Sequence, residues 1–264
     1  MNLDLTGKIA LVSGSTAGIG LAIATELAEY GARVVVNGRT QERVEAAIAN
    51  IKKEKPDANL LGVAADLSTA AGCLGLLKVV PDVDILVNNM GIFEPKPFEE
   101  IPDTDWLRFF EANVMSGIRL SRSYLPGMRK RDWGRIVFIS SESAVQIPSE
   151  MIHYGMTKTA QAAVARGIAE TTVNTAITVN TILPGPTASE GVTAFVGSLA
   201  RDQGMSAEDF EAKFFKTVRP SSLLQRFILP SEVAAMVAFV CSPAASAVNG
   251  ATLRVEGGVV RAVF

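Results

Sequence analysis

The sequence predicts an α/β fold, in which helices cover both faces of one doubly wound parallel sheet of about seven strands. Short runs rich in β-branched and aliphatic residues recur along the 264 residues, and most are followed by a longer helical pattern. Each run is nearly continuous in apolar side chains, as expected for parallel strands that are buried on both faces. Strands that alternate with helices at this spacing form right-handed crossovers and a doubly wound sheet.

The predicted elements follow one another in a regular order. Seven strands are predicted, at residues 9–12, 34–36, 60–64, 85–87, 136–139, 177–182 and 252–255. Longer helical patterns lie near Ile19–Tyr30, Gln41–Lys53 and Asp105–Lys130, and another begins near Tyr154. No repeat, low-complexity tract or linker interrupts the series, so residues 1–264 are predicted to form a single domain.

One connection, residues 186–228, is too long for an ordinary link between a helix and a strand. It contains several glycines and two short helical patterns, near Gly191–Asp202 and Ala207–Lys216. This composition predicts a mobile lid over a substrate site.

Composition and charge exclude several classes of function. The net charge of -2 gives no basic field for nucleic acid. No apolar run approaches the roughly 18–20 residues of a membrane span, and the N-terminus lacks the pattern of a signal peptide, so a cytoplasmic protein is expected. The single histidine, His153, is interpreted as a surface or packing residue. With Cys73 and Cys241 outside any C-x-x-C motif, this argues against a metal site.

A glycine-rich turn, Gly14-Ser15-Thr16-Ala17-Gly18-Ile19-Gly20, follows the first predicted strand. Glycines between a strand and a helix let the backbone approach a pyrophosphate, which the helix N-terminus attracts. The spacing G-x-x-x-G-x-G departs from the G-x-G-x-x-G dinucleotide fingerprint. The alternative is a turn that only packs a helix against the sheet.

The end of the second predicted strand, Asn37-Gly38-Arg39, bears on the choice of nucleotide. An NAD enzyme is expected to carry a ribose-binding carboxylate here, and this chain has none. The Arg39 guanidinium suits the 2′-phosphate of NADP, because its planar fork and positive charge match a phosphate group. NADP(H) is therefore favoured over NAD(H), and a solvated surface arginine is the alternative interpretation.

Polar residues follow three further strands. Asp66-Leu67 follows the third, Asn88-Asn89-Met90-Gly91 the fourth, and Ser140-Ser141 ends the fifth. The carboxyl ends of parallel strands share one edge of the sheet, where ligands of open α/β sheets bind. These side chains are therefore expected to lie near the glycine turn.

Tyr154 stands four residues before Lys158 at the start of a predicted helix. Residues i and i+4 share a helix face, so the phenol and the ammonium group are neighbours. A nearby cation favours the phenolate and lowers the pKa of a phenol, which suits proton transfer. The alternative is a tyrosine ring that packs on a lysine stem.

Taken together, these motifs make the chain resemble the classical short-chain dehydrogenase/reductase family over nearly its whole length. The resemblance rests on Gly14-x-x-x-Gly18-x-Gly20, Asn88-Asn89-x-Gly91, Asn113, Ser141, Tyr154-x-x-x-Lys158 and Pro184-Gly185, in the family's order and spacing. Met90 is a departure, since the family usually has alanine at that position.

The resemblance implies a Rossmann-type sheet and a role for each motif residue. Tyr154 would exchange a proton with a substrate carbonyl or hydroxyl, and Ser141 would hydrogen-bond that oxygen. Lys158 would hold the nicotinamide ribose and lower the pKa of the phenol, and Asn113 would support a water-mediated proton relay to the lysine. Contacts to the cofactor are implied for Gly14, Ser15, Thr16, Gly18, Ile19, Gly20, Arg39, Asp66, Leu67, Asn89, Gly91, Tyr154, Lys158, Pro184, Gly185 and Thr187.

The substrate is expected to contact Ser143, Phe93, Met151 and the lid residue Phe195, together with the loop at residues 144–148. Most of these residues are apolar, so a medium-sized ketone or alcohol with apolar surface is favoured. Ordinary core packing is the alternative for Phe93, Met151 and Phe195.

The sequence thus predicts an oxidoreductase that transfers a hydride between NADP(H) and a carbonyl or secondary alcohol. One alternative is a 3-oxoacyl-acyl-carrier-protein reductase, for which Arg129–Arg131 could recruit an acidic carrier; the end of the Tyr154 helix, however, has no basic residue. An alternative of another class is a non-catalytic regulator that senses a dinucleotide, which would not need Ser141, Tyr154 and Lys158 together. The resemblance also implies a homotetramer, with a homodimer as the alternative.

Overall fold

The computed structural model describes residues 1–192 and 205–263 and contains a parallel sheet of seven strands within those ranges. The strands lie side by side in the order β3-β2-β1-β4-β5-β6-β7. Their bounds are β1 Ile9–Val12, β2 Arg33–Gly38, β3 Leu60–Ala64, β4 Ile85–Asn88, β5 Gly134–Ile139, β6 Ile177–Pro184 and β7 Thr252–Val255. The predicted fold class and all seven predicted strands are confirmed.

Helices lie on both faces of the sheet. In the described part of the chain they are α1 Gly18–Glu29, α2 Gln41–Glu54, α3 Ala70–Val79, α4 Asp103–Phe110, α5 Ser116–Arg131, α6 Ile152–Glu170, α7 Ala207–Thr217 and α8 Pro230–Cys241. None of the helices described is both long and apolar enough to cross a bilayer.

Two helical predictions need comment. The long helix expected at Asp105–Lys130 is divided into α4 and α5 by a π-helical turn, Glu111–Met115. The second helical pattern of the expected lid is α7, whereas the first, near Gly191–Asp202, falls largely outside the described residues.

Each face of the sheet has its own hydrophobic core. On one face Ile23 of α1, Ile51 of α2 and Val237 of α8 pack against the strands, and on the other face Leu76 of α3 and Leu120 of α5 do so. All five side chains are buried. Burial of such a side chain stabilises the fold by about 1.5–3 kcal/mol, so these layers supply the driving force that holds the sheet together.

The strand order reverses between β1 and β4, which are paired neighbours in the sheet. Crossovers on the two sides of this point run in opposite directions, which leaves a cleft beyond the carboxyl ends of β1 and β4. The glycine turn follows β1 directly and Asn89 follows β4, so both lie at this cleft.

His153 is buried between α4 and α6. Its ring centre lies 4.0 Å from that of Phe109 and 6.0 Å from that of Trp106. Neither imidazole nitrogen has a hydrogen-bond partner in the described structure. The residue is therefore part of the packing and not of the surface. Burial lowers the pKa of the imidazole, while the charge of Asp105 acts weakly in the opposite direction.

We expect acid to destabilise the protein through His153. The pKa of the folded imidazole lies below its unfolded value of about 6.5, so its stabilising contribution is complete above pH 6.5 and is lost as the pH falls through the folded pKa. His153→Phe keeps an apolar ring at the site and removes the titration. Urea unfolding at several pH values between 7.5 and 5.5 should show a smaller loss of unfolding free energy in the variant. Equal losses in the two proteins would contradict this assignment.

Candidate active site

The glycine turn between β1 and α1 requires glycine at three positions. Gly14 and Gly18 have φ of 62° and 54°, in the left-handed region that side chains disfavour. A Cβ on Gly20 would lie 2.4 Å from Asn89 Nδ2 and equally close to the Gly14 carbonyl oxygen. Asn89 Nδ2 donates to the carbonyl oxygens of Ser13 and Gly14, at 2.9 and 3.1 Å. The turn is thus held in one shape by the residues that follow β4.

The amino end of α1 can accept an anion. Its N-cap residue, Ala17, offers no side-chain acceptor to the first amide groups of the helix. Such uncapped amides and the helix dipole attract phosphate. Ser15 is buried and supports the turn, because its Oγ donates to the Val12 carbonyl and accepts from the Asn37 amide. Its hydroxyl is therefore committed to the protein.

The end of β2 has no room for a carboxylate at Gly38. A Cβ there would lie 2.4 Å from the methyl group of Thr16. Arg39, the next residue, is exposed and forms no ion pair with any residue that the structure describes. Its guanidinium can therefore meet a ligand at the outer side of the glycine turn.

The remaining residues expected to contact a cofactor lie at the same edge of the sheet. Asp66 is exposed, and its carboxylate accepts from the Ser68 amide and hydroxyl at 3.0 and 2.7 Å. Leu67 has its side chain in the core, so only its main chain is available to a ligand. Thr187 Oγ1 donates to the Gly185 carbonyl. Pro184 ends β6, where it pairs with Val255.

Tyr154 and Lys158 lie one turn apart near the start of α6. Lys158 Nζ is 5.6 Å from the centre of the tyrosine ring. It donates to the Ile139 carbonyl at 2.9 Å and to Gln161 Oε1 at 3.1 Å. Burial lowers the pKa of Lys158 to about 7. The lysine therefore gives up its proton more readily than an exposed lysine does.

The pKa of Tyr154 is shifted in the direction opposite to the sequence-based expectation. Burial raises it, the charge of Glu142 raises it further, and a hydrogen bond with Ser141 opposes both effects. A phenolate in this position loses most of its hydration, and the Lys158 ammonium group is held by Ile139 and Gln161. The predicted lowering by Lys158 is absent from this structure.

Ser141 directs its hydroxyl at an unexpected neighbour. Its Oγ donates to Glu142 Oε2 at 2.5 Å and accepts from the Ser143 amide at 3.1 Å. Because a hydroxyl has one hydrogen to donate, it cannot donate to a substrate oxygen while it holds this bond. The serine nevertheless lies with Tyr154 on the wall of one cavity.

That cavity has a volume of about 500 Å³ and opens beside the carboxyl ends of the strands. Phe93, Met151 and Ser143, which were expected to contact the substrate, line it, and the ring centres of Phe93 and Tyr154 are 6.4 Å apart. Phe195 lies outside the described residues. No side chain of the loop at residues 144–148 lines the cavity, since Val145 and others of that loop face outward. The opposite wall consists largely of lid residues: Phe210, Phe214, Thr217, Val218, Arg219 and Phe227.

Comparison with known proteins agrees with this arrangement. Residues 8–197 match the family model described as short chain dehydrogenase. YvaG of Bacillus subtilis, described as an uncharacterized oxidoreductase, is 50% identical over the whole of both chains. D-beta-hydroxybutyrate dehydrogenase of Cupriavidus necator is 33% identical, over 97% of this chain and 99% of that one. The chain belongs to the short-chain dehydrogenase family.

A solved structure extends the likeness to three dimensions. L-sorbose reductase from Gluconobacter frateurii, crystallised with NADPH and L-sorbose, superimposes with a TM-score of 0.94 at 31% identity, over the whole of both chains. This short-chain dehydrogenase is therefore an oxidoreductase that acts by hydride transfer between an alcohol and a carbonyl.

Asn113 of this short-chain dehydrogenase lies in the π-helical turn, a feature that often marks functional sites. Its side chain accepts from the Ile92 amide at 2.7 Å and donates to Thr157 Oγ1 at 3.0 Å. The main-chain carbonyl oxygen of Asn113 accepts a hydrogen bond from Gln161 Nε2 at 2.5 Å. The side chain thus fixes the loop after β4, and the carbonyl faces α6.

Gln161 was missed by the sequence analysis. Its amide joins the Asn113 carbonyl to Lys158 Nζ, which is the connection that the family resemblance assigns to a water molecule. A glutamine three positions after Lys158, and therefore on the same face of α6, was the available signal. Glu142, Glu150 and Arg219, which also line the cavity, were missed as well. Glu142 follows Ser141 directly, whereas nothing in the sequence points to Arg219.

Proposed function

We propose that this short-chain dehydrogenase is an NADP(H)-dependent carbonyl reductase that also oxidises the corresponding secondary alcohol. The observation that carries the proposal is the position of Ser141 and Tyr154 on one wall of a largely apolar cavity beside the strand ends. The rings of Phe93, Phe210, Phe214 and Phe227 favour a medium-sized ketone or alcohol with apolar surface. The lid expected at residues 186–228, of which 186–192 and 205–228 are described, would cover the substrate of a single catalytic domain.

The nucleotide site is proposed at the glycine turn. Glycines keep side chains out of the turn, the uncapped amides of α1 would attract a pyrophosphate, and the exposed Arg39 at the end of β2 would bind a 2′-phosphate. The L-sorbose reductase to which the chain is similar was solved with NADPH, which agrees with this choice. When bound, the nicotinamide supplies the hydride that reduces the carbonyl carbon.

The chain's own residues handle the proton. Tyr154 donates its phenolic proton to the substrate oxygen as the carbonyl is reduced, and Ser141 hydrogen-bonds the same oxygen. Lys158 would hold the nicotinamide ribose. Asn113 holds Gln161, and Gln161 together with the Ile139 carbonyl accepts hydrogen bonds from the Lys158 ammonium group.

Tyr154→Phe should abolish turnover and spare nucleotide binding, because it removes the proton donor and keeps the ring. The assay measures NADPH and NADH consumption with ketones, aldehydes and 3-oxoacyl thioesters. We expect NADPH-dependent turnover of one class by the wild-type protein and a loss of at least about 100-fold in the variant. Comparable turnover by the variant would remove Tyr154 from the mechanism.

The same panel separates the alternatives. Selective turnover of thioesters carried on acyl carrier protein would identify a 3-oxoacyl-acyl-carrier-protein reductase. Tight NADPH binding without turnover of any compound would favour a dinucleotide sensor. Absence of binding to either nucleotide would overturn the proposed site at the glycine turn.

Arg39→Asp should reverse the nucleotide preference. A charge-assisted hydrogen bond contributes about 1.5–3 kcal/mol, so its replacement by a repulsive carboxylate should weaken NADPH binding by at least about tenfold. NADH binding should change little, since it lacks the 2′-phosphate. Fluorescence titration with both nucleotides measures this, and Arg43→Asp, on the nearby first turn of α2, is a matched charge control. An unchanged ratio of the two dissociation constants would exclude Arg39 from phosphate recognition.

We further propose that the protein is a cytoplasmic homotetramer. Support comes from exposed apolar side chains such as Leu107 and Leu223, which a neighbouring copy could cover, and from the unpaired buried thiols of Cys73 and Cys241, which suit a reducing compartment. Light scattering at micromolar concentration should give four times the chain mass of 28.0 kDa. A dimeric mass would support the alternative assembly, and a monomeric mass would contradict both.

A further inference from the structure

Hydrogen bonds and ion pairs connect Ser141 to the lid through Glu142 and Arg219, and Arg219 also contacts Glu150. Ser141 Oγ donates to Glu142 Oε2, and Arg219 Nε donates to Glu142 Oε1 at 3.3 Å. Arg219 Nη1 then donates to Glu150 Oε1 at 3.2 Å. Arg219 follows α7, whereas Glu142 belongs to the short turn after β5. Arg219 therefore connects the lid to the wall of the cavity that carries Ser141 and Tyr154.

Of these charged residues, Glu142 and Arg219 are the more buried. The side chain of Glu142 is 7% exposed and that of Arg219 is 12% exposed, while that of Glu150 is 42% exposed. A buried carboxylate is costly unless a cation or several hydrogen bonds compensate it. Lys158, the nearest cation on α6, is committed to Ile139 and Gln161. Arg219 is thus the cation that contacts Glu142 in the described structure.

Glu142 without its arginine would oppose the reaction. Negative charge develops on the substrate oxygen during reduction, next to Ser141 and Tyr154, and a neighbouring carboxylate repels it. The same carboxylate draws the Ser141 hydroxyl hydrogen away from the substrate. The charge of Glu142 raises the pKa of Tyr154, and the charge of Arg219 lowers it. Arg219 therefore opposes the effect of the Glu142 charge on the pKa of Tyr154.

We propose that Arg219 is a positioning residue of the catalytic centre, which neutralises the Glu142 carboxylate so that Ser141 and Tyr154 can serve the substrate oxygen. The proposal rests on the proposed function, in which Tyr154 transfers the proton. It assigns the lid a part in the chemical step as well as in enclosing the substrate. The titratable groups around the phenol that bear on it are Glu142, Glu150, Lys158, Lys213 and Arg219.

The test is a double-mutant cycle with Arg219→Met, Glu142→Gln and the double variant. Alcohol oxidation requires the phenolate, so its kcat/KM rises with pH through the apparent pKa of Tyr154. Loss of Arg219 should move this rise to higher pH by about one unit, with about tenfold lower activity at pH 7. Glu142→Gln should move it to lower pH. The double variant should recover most of the activity lost in Arg219→Met, because the repulsive charge is gone.

Glu150→Gln is the matched control. It changes the other carboxylate that Arg219 contacts, but that carboxylate is half exposed and does not touch Ser141. Its effect on the pH profile should therefore be smaller than that of Arg219→Met or of Glu142→Gln. NADPH affinity should be equal in all variants, since none of the substituted residues contacts the glycine turn.

A purely structural role for Arg219 predicts a different result. If the arginine only holds the lid in place, Arg219→Met should raise KM without shifting the pH profile, and Glu142→Gln should fail to rescue it. Either observation would overturn the proposal while turnover by the wild-type protein and its loss in Tyr154→Phe left the proposed function intact.

A readout without turnover covers the case in which no compound of the panel is a substrate. Phenolate formation is followed by ultraviolet absorbance, with and without NADP⁺, as the difference between each protein and its Tyr154→Phe counterpart. The phenol of Glu142→Gln should titrate at lower pH than that of the wild type, and the phenol of Arg219→Met at higher pH. Identical titration of all three would overturn the inference.

Discussion

The hydrogen bonds that join the ends of the first four strands are the constraint on which the rest of the structure depends. Asn37 donates from Nδ2 to the Val63 and Ala65 carbonyls and accepts from the Gly14 amide, so it ties β1, β2 and β3 together. Ser13 Oγ accepts from the amides of Asn89 and Met90, which ties β1 to β4. Buried side-chain amides that satisfy main-chain groups in this way rigidify a structure, because each unmade bond would be costly. The glycine turn is consequently held in place before any ligand binds.

The proposed catalytic groups Tyr154 and Lys158 are both buried, and burial is the largest cause of the pKa shift of each. Burial lowers the pKa of Lys158 to about 7, and the ammonium group has an oxygen of the neutral Ile139 carbonyl, not a carboxylate, beside it. Tyr154 has its pKa raised for the same physical reason, with the opposite sign because the charged form is an anion. The pKa values of the two groups, nearly equal in free side chains, therefore move apart, and strongly perturbed pairs of this kind are typical of sites that move protons.

Much of this could be predicted from the sequence, because the relevant signals are local. The apolar runs at Ile9–Val12 and Ile177–Pro184 indicate buried parallel strands. The glycine turn is recognisable from its glycines between a predicted strand and a predicted helix. The division of α4 from α5 could not be foreseen, since a π-helical turn depends on the packing around Asn113 and not on helix propensity.

The electrostatics of the site were less predictable for a related reason. The spacing of Tyr154 and Lys158 correctly places them on one face of α6, but the direction of the phenol's shift depends on burial and on Glu142, which lies in another element. The contact of Arg219 with Glu142 joins residues 77 positions apart, and no periodicity reports such a pair. Long-range charge pairs of this kind become visible only when the topology is known.

Gln161 occupies the place between Lys158 and the Asn113 carbonyl, which affects how protons can reach the lysine. A water molecule between the Asn113 carbonyl and Lys158 could pass a proton to or from the lysine. A carboxamide at the same place keeps the hydrogen-bond geometry, yet it neither gains nor gives up a proton near neutral pH. Gln161 therefore does not relay protons between Lys158 and the Asn113 carbonyl, and the proton that Tyr154 gives up would have to be resupplied by another path.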